Sequence, residues 1–276
     1  MCKGSCVMVK RRLDTVLAER GLFPSRSRAA ASVMAGEVHV GRGERRASKP
    51  SEMIDAEEVL AVRGRPAFVS RGGIKLANAL DATGLDVSGR RTLDAGASTG
   101  GFTDCLLQRG AREVIAVDVG YGLLDYSLRN DPRVQVLERT NARELSPAVL
   151  PASQSGVEEL PSLGVIDVSF ISLAKVLGPV VSCLSPVHDV LALVKPQFEV
   201  GRERVGKGGV VRDADARRDA LVAAGAAAIE LGEAVLGYRS SGLPGPKGNL
   251  ETFLWLGEGG TRDAGALEPL AREVEP

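Results

Sequence analysis

Histidine and cysteine are scarce in this 276-residue sequence, with two of the first and four of the second. His39 and His188 stand far apart, and Cys2, Cys6, Cys105 and Cys183 show no C-x-x-C spacing, so neither a metal site nor a disulfide framework is indicated. Long hydrophobic runs are missing too. The longest apolar stretch, near residues 176–194, is broken by Pro179, Pro186, His188 and Asp189, which excludes a spanning helix. A soluble, cytoplasmic chain in a reducing compartment is expected. The formal net charge is zero, yet the charge is unevenly spread. Residues 1–65 carry thirteen Lys/Arg against eight Asp/Glu, and the remainder cancels that surplus. A basic segment joined to a neutral body suits a polyanionic partner. The length allows one large domain and one small one.

What the sequence does have is a glycine-rich turn after a buried strand: Thr92-Leu-Asp94-Ala-Gly96-Ala-Ser98-Thr-Gly100-Gly101-Phe102-Thr103. The spacing predicts a strand over 92–95, a turn over 96–101 and a helix over 102–108. Gly96 permits the tight turn, Gly100 and Gly101 clear side chains from a ligand's approach, and the helix N–H groups can take a polar tail. A second strand, 114–117, ends in Asp118, where a doubly wound sheet sets an acid against ribose hydroxyls. A dinucleotide fingerprint would need glycine where Ser98 stands, and a P-loop would need a lysine after Gly101. Together these describe a nucleoside-containing cofactor, with NAD weakened by the spacing and ATP weaker still. A glycine turn of some other α/β fold remains open on these residues alone.

The N-terminal segment reads as two short helices and a small sheet over residues 10–65, preceded by a loose tail over 1–9. Leu13, Val16 and Leu17 form one apolar stripe, Gly21 stops that helix, and Ser25 caps a second whose Ala29, Ala30 and Val33 face inward. Val38-His39-Val40 and residues 59–62 read as strands. Arg11, Arg12, Arg26, Arg28, Arg42, Arg45, Arg46 and Lys49 supply a polar side able to grip phosphates, or simply a solvated basic face.

A hinge composition, Arg63-Gly-Arg-Pro66, precedes a helix over 74–82 capped by Ser70 and carrying Lys75 in its first turn, where a cation opposes the helix dipole. Beyond the glycine turn a helix over 123–129, a strand over 134–137 and Asn141 in the next loop continue the alternation. Residues 146–162 read as a polar surface insert. Strands over 163–166 and 190–194 end at Asp167 and Lys195. An alanine-rich helix over 215–231 and strands over 234–238 and 252–256 follow, and residues 257–276 read as an acidic disordered tail. Ligands of an open parallel sheet sit beyond the carboxyl ends of its strands. If the 252–256 strand runs antiparallel, Glu251 meets Asp167 and Lys195 at that rim, with Lys75 approaching from the side. Two cations and two anions at one point either tune one another for chemistry or close the sheet edge as an ion-pair network.

Specific wording decides more. Arg12-Leu-Asp-x-x-Leu17, Ser25-Arg26-x-Arg28-Ala29, Gly36-x-Val38-x-Val40 and Lys49-Pro50-Ser51 resemble the alpha-L RNA-binding module. The Asp94-to-Gly101 turn resembles the S-adenosylmethionine loop of class I methyltransferases. Lys75 in Gly73-Ile-Lys-Leu76, Asp167 in Asp-Val-Ser-Phe170, Lys195 in Val194-Lys-Pro-Gln197 and Glu251 in Asn249-Leu-Glu-Thr252 resemble the Lys-Asp-Lys-Glu set of FtsJ-like RNA ribose 2'-O-methyltransferases. Joined over residues 10–256, these resemble the TlyA family of bacterial rRNA methyltransferases, some of whose members carry the name haemolysin.

The resemblance implies an α/β, Rossmann-like class I methyltransferase domain over 66–256 with a mostly parallel seven-stranded sheet, and an α+β RNA-binding domain over 10–65. It implies S-adenosyl-L-methionine as cofactor, with Asp94, Gly96, Ser98, Gly100 and Gly101 near its methionine side, Asp118 at the ribose and Asn141 at the adenine. Arg11, Arg12, Arg26, Arg28 and Lys49 would contact RNA, and the implied substrates are cytidines of 16S and 23S rRNA in ribosomal subunits, with no membrane partner. Lys195 is the candidate base, since neighbouring Lys75 and a sulfonium both work against a proton on it, while Asp167, Lys75 and Glu251 orient the reacting groups. A membrane-active haemolysin and a non-catalytic RNA-binding scaffold are the alternatives.

Overall fold

The computed structural model describes residues 10–41, 45–62, 67–154, 156 and 159–275. The expected tail over 1–9, Arg42 and the 63–66 hinge lie outside the described residues. The chain divides into two compact units, residues 1–67 and 68–276.

In the first unit, β1 (Lys10–Arg12), α1 (Leu13–Glu19), α2 (Arg26–Met34), β2 (Val38–Val40), β3 (Arg45–Arg46), β4 (Met53–Asp55) and β5 (Leu60–Val62) follow in order. Ser25 caps α2 by accepting the Arg28 N–H at 3.2 Å. Leu13, Val16, Leu17, Ala29, Val33, Val38 and Val40 make one small core. β2 pairs antiparallel with β3 and β5, and β1 with β4.

The second unit holds α3 (Arg71–Thr83), β6 (Arg91–Ala95), α4 (Gly101–Gln108), β7 (Glu113–Val117), α5 (Tyr126–Arg129), β8 (Val134–Leu137), β9 (Leu163–Ile166), α6 (Leu177–Ser182), β10 (Asp189–Val194), α7 (Pro196–Glu199), α8 (Ala214–Glu230), β11 (Val235–Ser240), β12 (Thr252–Leu256) and α9 (Leu267–Arg272). Seven strands form one sheet in the order β11-β12-β10-β9-β6-β7-β8. β12 runs antiparallel between β10 and β11, and the remaining neighbours are parallel. The order reverses between β6 and β9, so a crevice opens there beyond the strand ends. Alternate residues of the central strands feed two cores. Ile115 and Val117 pack with α6, α8 and α9, whereas Val114 and Ala116 pack with α3 and α4. Among the described residues no helix is long and apolar enough to cross a membrane.

Two expectations need correction, and the surface insert over 146–162 is held more firmly than its reading implied. Residues 257–275 are not a disordered tail: Thr261 bridges Val235, and α9 buries Leu267 and Ala271 completely in the larger core. The two apolar residues are spaced one helical turn apart, enough to dock a short helix whose other faces are charged. The 146–162 segment is also fastened. Arg91 and Glu113, both buried at 3.3 Å from each other, hold it through Arg91 to the Pro151 and Glu159 carbonyls and through Glu113 from Ser153 and Gln154. The helix expected over 123–129 begins only at Tyr126, because the Asp125 carboxylate accepts the Ser127 N–H at 2.8 Å and caps it there.

Docking of α9 makes a direct prediction. Leu267→Ala should lower unfolding stability by about 2–5 kcal/mol in a denaturant titration, the usual cost of truncating a buried leucine. An unchanged midpoint would mean that the C-terminal segment is not part of the fold.

Candidate active site

The site is assembled where β6 and β9 end side by side. Gly96, with φ of 93°, lies against the backbone of Asp167: a Cβ on it would stand 2.6 Å from the Asp167 carbonyl oxygen. A side chain there would push the two loops apart. Asp167 consequently borders three cavities of about 410, 400 and 370 Å³. Lys195 follows β10, and its Nζ stands 2.7 Å from Asp167 Oδ1 and donates to Ser169 Oγ at 2.7 Å. Lys75, on α3, pairs with Glu251 at the start of β12, and both are nearly buried. The antiparallel direction of β12 brings Glu251 to this rim. All four charged residues of the expected set line the 410 Å³ cleft, as two ion pairs.

Lys75 reaches the rim because α3 and α4 cross backbone to backbone at two glycines. A Cβ on Gly73 would meet the Gly101 carbonyl at 2.8 Å, and one on Gly101 would meet the Gly73 nitrogen at 2.8 Å. Gly101 thus serves helix packing as well as lining a cavity. Gly100 differs more from its expected role. Leu124 and Leu128 fill the space a side chain would take, and Gly100 lines none of the three cavities.

The 370 Å³ cavity runs along Ser70, Arg71, Gly72, Lys75, Gly96, Ser98 and Gly101. The 400 Å³ cavity takes in Ser98, Asp118, Asn141 and Phe170. Ser98 adopts a left-handed φ of 50° and donates its N–H to Asp118 Oδ2 at 2.8 Å, while Gly120 N–H meets Oδ1 at 2.7 Å. Those two bonds fix the carboxylate and leave each oxygen a second lone pair. Asn141 caps the following turn by accepting the Arg143 N–H at 3.1 Å.

Asp94 is the expected cofactor residue that the fold withdraws. It is fully buried, lines none of the three cavities, accepts the Thr103 hydroxyl at 2.7 Å and leaves its other oxygen without a hydrogen-bond partner among the described residues. Its place is beneath the glycine turn, tying β6 to α4. Three residues not singled out by sequence also shape the cleft. Ser169 bonds Lys195. Asn249 spans two loops, accepting from Val211 N at 2.9 Å and donating to the Gly209 carbonyl at 2.8 Å. Glu199 accepts from Ser172 Oγ at 2.7 Å and Leu173 N at 2.9 Å, and burial pushes its carboxyl up. The quoted Asp-Val-Ser-Phe and Asn-Leu-Glu-Thr motifs already contained two of them.

In the first unit, Arg12 and Arg26 converge on Asp14, at 2.7 and 3.4 Å, and the Arg12 hydrogen bonds hold that carboxyl down at about 2. Arg11 pairs with Glu19 at 2.5 Å. Arg28 and Lys49 are exposed and have no ionic partner among the described residues.

Comparison with known proteins then decides the family. The FtsJ-like methyltransferase model matches residues 68–258, and the S4 domain model matches residues 11–60. The chain belongs to the FtsJ-like methyltransferase family. This FtsJ-like chain is 50% identical over 249 residues to the 16S/23S rRNA (cytidine-2'-O)-methyltransferase TlyA of Mycobacterium tuberculosis, covering 90% of each. It is 39% identical over 240 residues to Hemolysin A of Brachyspira hyodysenteriae, covering 87% of this chain and 97% of that one. A solved structure from Streptococcus thermophilus that carries the name hemolysin superposes with a TM-score of 0.70 at 39% identity, over 97% of this chain and 96% of that one.

The buried acid of this methyltransferase predicts a pH effect. Burial is the main cause that lifts the Asp94 carboxyl from 3.8 to about 7, with the Thr103 bond opposing it and Asp167 and Asp118 adding to it. Below about pH 7 the folded chain keeps a proton that the unfolded chain releases near pH 4, so this group's contribution to stability falls as pH rises through that window. Asp94→Asn cannot ionise and should lose less stability than the wild type between pH 4 and 7, by up to roughly 4 kcal/mol. Denaturant midpoints across that range check it, and parallel pH curves would contradict it.

Proposed function

We propose that the chain transfers a methyl group from S-adenosylmethionine to the 2'-oxygen of a cytidine ribose in ribosomal RNA, in the cytoplasm. The observation that carries this reading is Asp167, shared by three cavities and standing 2.7 Å from Lys195. A reaction that joins a methyl donor to an RNA hydroxyl needs both ligands to border the same charged group, and two cavities flank the glycine turn while the third holds the ion pairs.

The residues fit the cofactor on their own chemistry. Asp118, pinned by two backbone N–H groups with lone pairs to spare, would accept ribose hydroxyls, and Asn141 would border the adenine. Gly96, Ser98 and Gly101 would border the methionine portion. When bound, S-adenosylmethionine supplies an electrophilic methyl group on a positively charged sulfur. Everything else is done by the chain. A ribose hydroxyl is a poor nucleophile, so it must be held in line and relieved of its proton. Lys195 Nζ, as the neutral amine, would receive that proton: the ribose O–H bond breaks and an N–H bond forms, while the oxygen bonds the methyl as the methyl–sulfur bond breaks and its electron pair stays on sulfur. Asp167 stabilises the resulting ammonium, and the nearly buried Lys75–Glu251 pair forms part of the wall of the same cleft. Phe170, exposed and 5.2 Å from the Phe198 ring, adds an aromatic edge to the same cleft.

The first unit supplies the RNA grip. Arg12 and Arg26 are held by Asp14 and Arg11 by Glu19, while Arg28 and Lys49 add positive charge that can pair phosphates. The activity for which the Mycobacterium tuberculosis relative is named, at half identity over nine-tenths of both chains, supports cytidine in 16S and 23S rRNA as the target.

The test is a transfer assay with tritiated S-adenosylmethionine and isolated ribosomal subunits, followed by nuclease digestion. Label should appear in 2'-O-methylcytidine. Label in a base-methylated nucleoside, or none in RNA, would overturn the reading.

A further inference from the structure

The geometry points to Ser169 as a positioning residue for this methyl transfer, one that aims the Lys195 amine at the reacting hydroxyl. The inference rests on the 2'-O-methylation reading above and adds a residue to it. Around Lys195 Nζ two oxygens stand equally close, Asp167 Oδ1 and Ser169 Oγ, each at 2.7 Å. They are not equivalent. Among the described residues the Asp167 oxygen forms no hydrogen bond of directional geometry, whereas the Ser169 contact has that geometry. Proximity to Asp167 keeps the amine near the rim but sets no orientation. A directional bond does set it.

The consequence follows from the shape of an amine. Neutral Nζ has two N–H bonds and one lone pair in a tetrahedral arrangement with Cε. With Ser169 on one side and Asp167 on another, the remaining direction is left for the proton that the ribose hydroxyl gives up. Without Ser169 the amine turns freely about its last bond, and the lone pair spends less time on the reactive line. In the step itself the ribose O–H bond breaks and its proton joins Nζ. The ammonium so formed still donates to Ser169 Oγ and faces Asp167.

Ser169 is also placed for this task by its neighbours. It lines both the cleft that holds the ion pairs and the cavity that holds Asp118. The residue after it, Phe170, has a left-handed φ of 65°, which turns the chain sharply just past the serine. Three residues on, the same loop is fastened by Glu199 to the segment that follows Lys195, through Ser172 Oγ and Leu173 N. The loop carrying Ser169 and the loop carrying Lys195 are thereby locked together, so the 2.7 Å bond joins two fixed points. Ser169 is itself exposed.

The experiment compares wild type, Ser169→Ala and Ser169→Thr in single-turnover methyl transfer to isolated ribosomal subunits, with S-adenosylmethionine affinity by calorimetry and subunit affinity by filter binding. Ser169→Ala should slow transfer by about 10- to 100-fold, the range seen when a supporting hydrogen bond to an active-site group is removed. Both affinities should stay within about twofold of wild type, and Ser169→Thr, which keeps the hydroxyl, should recover most of the rate. Transfer by Ser169→Ala at the wild-type rate would overturn the inference. So would a loss matched by weakened binding of either ligand, or a threonine variant as slow as alanine. A wild-type chain that puts no label on ribose 2'-oxygens would instead overturn the methylation reading, a failure visible before any variant is made.

Discussion

Backbone contact between Gly96 and Asp167 is the constraint on which the functional half of the molecule depends. It closes the seam between β6 and β9, where the strand order reverses, and it does so at a separation that leaves no room for a Cβ. Because the two loops touch there, one carboxylate borders the cavities on either side of the glycine turn and the cleft with the ion pairs. Every other device at the site acts on that seam. The Gly73–Gly101 crossing brings Lys75 beside it, the antiparallel β12 brings Glu251, and Glu199 and Asn249 fix the loops around it.

The charges at the rim are paired across elements far apart in sequence. Lys75 and Glu251 meet from α3 and β12, and Asp167 and Lys195 from β9 and β10. Burying an ion pair returns little net stability, because desolvation offsets much of the attraction. An ion-pair network that merely closed a sheet edge would gain little from being nearly buried beside two cavities. Placement of these groups on the walls of open cavities is what favours chemistry over structure. Asp94 shows the contrast: buried, bonded to Thr103 and outside the lining of all three cavities, it holds the glycine turn.

Much of this was legible in the sequence because the signals were local and periodic. Strands 163–166 and 252–256 end where their apolar runs end, and Ser25 and Ser70 cap the helices that follow them. The four charged residues could be gathered at one rim because three of them directly follow or precede a strand and Lys75 lies early in the helix that leads to β6. What was not legible depends on partners distant in the chain. Leu267 and Ala271 are sparse apolar residues in a charged segment, and only the core formed by α8, β11 and β12 shows why they order it. Gly100 read as clearance for a ligand, but Leu124 and Leu128 occupy that space, and Gly101, which does line a cavity, also lies against the backbone of α3. Charged β1, Lys10–Arg12, becomes a strand only by pairing with Met53–Asp55. Ser169 stood inside a quoted motif and carried no signal of its own until Lys195 was seen against it.

The central claim is that Lys195 takes the ribose proton, and substitution of that residue tests it most directly. Lys195→Ala should abolish tritium transfer to ribosomal subunits while calorimetry shows S-adenosylmethionine binding unchanged, since the side chain acts on a proton and lines the ion-pair cleft, not the two cavities beside the glycine turn. Transfer retained near the wild-type rate, with cofactor bound normally, would contradict the account.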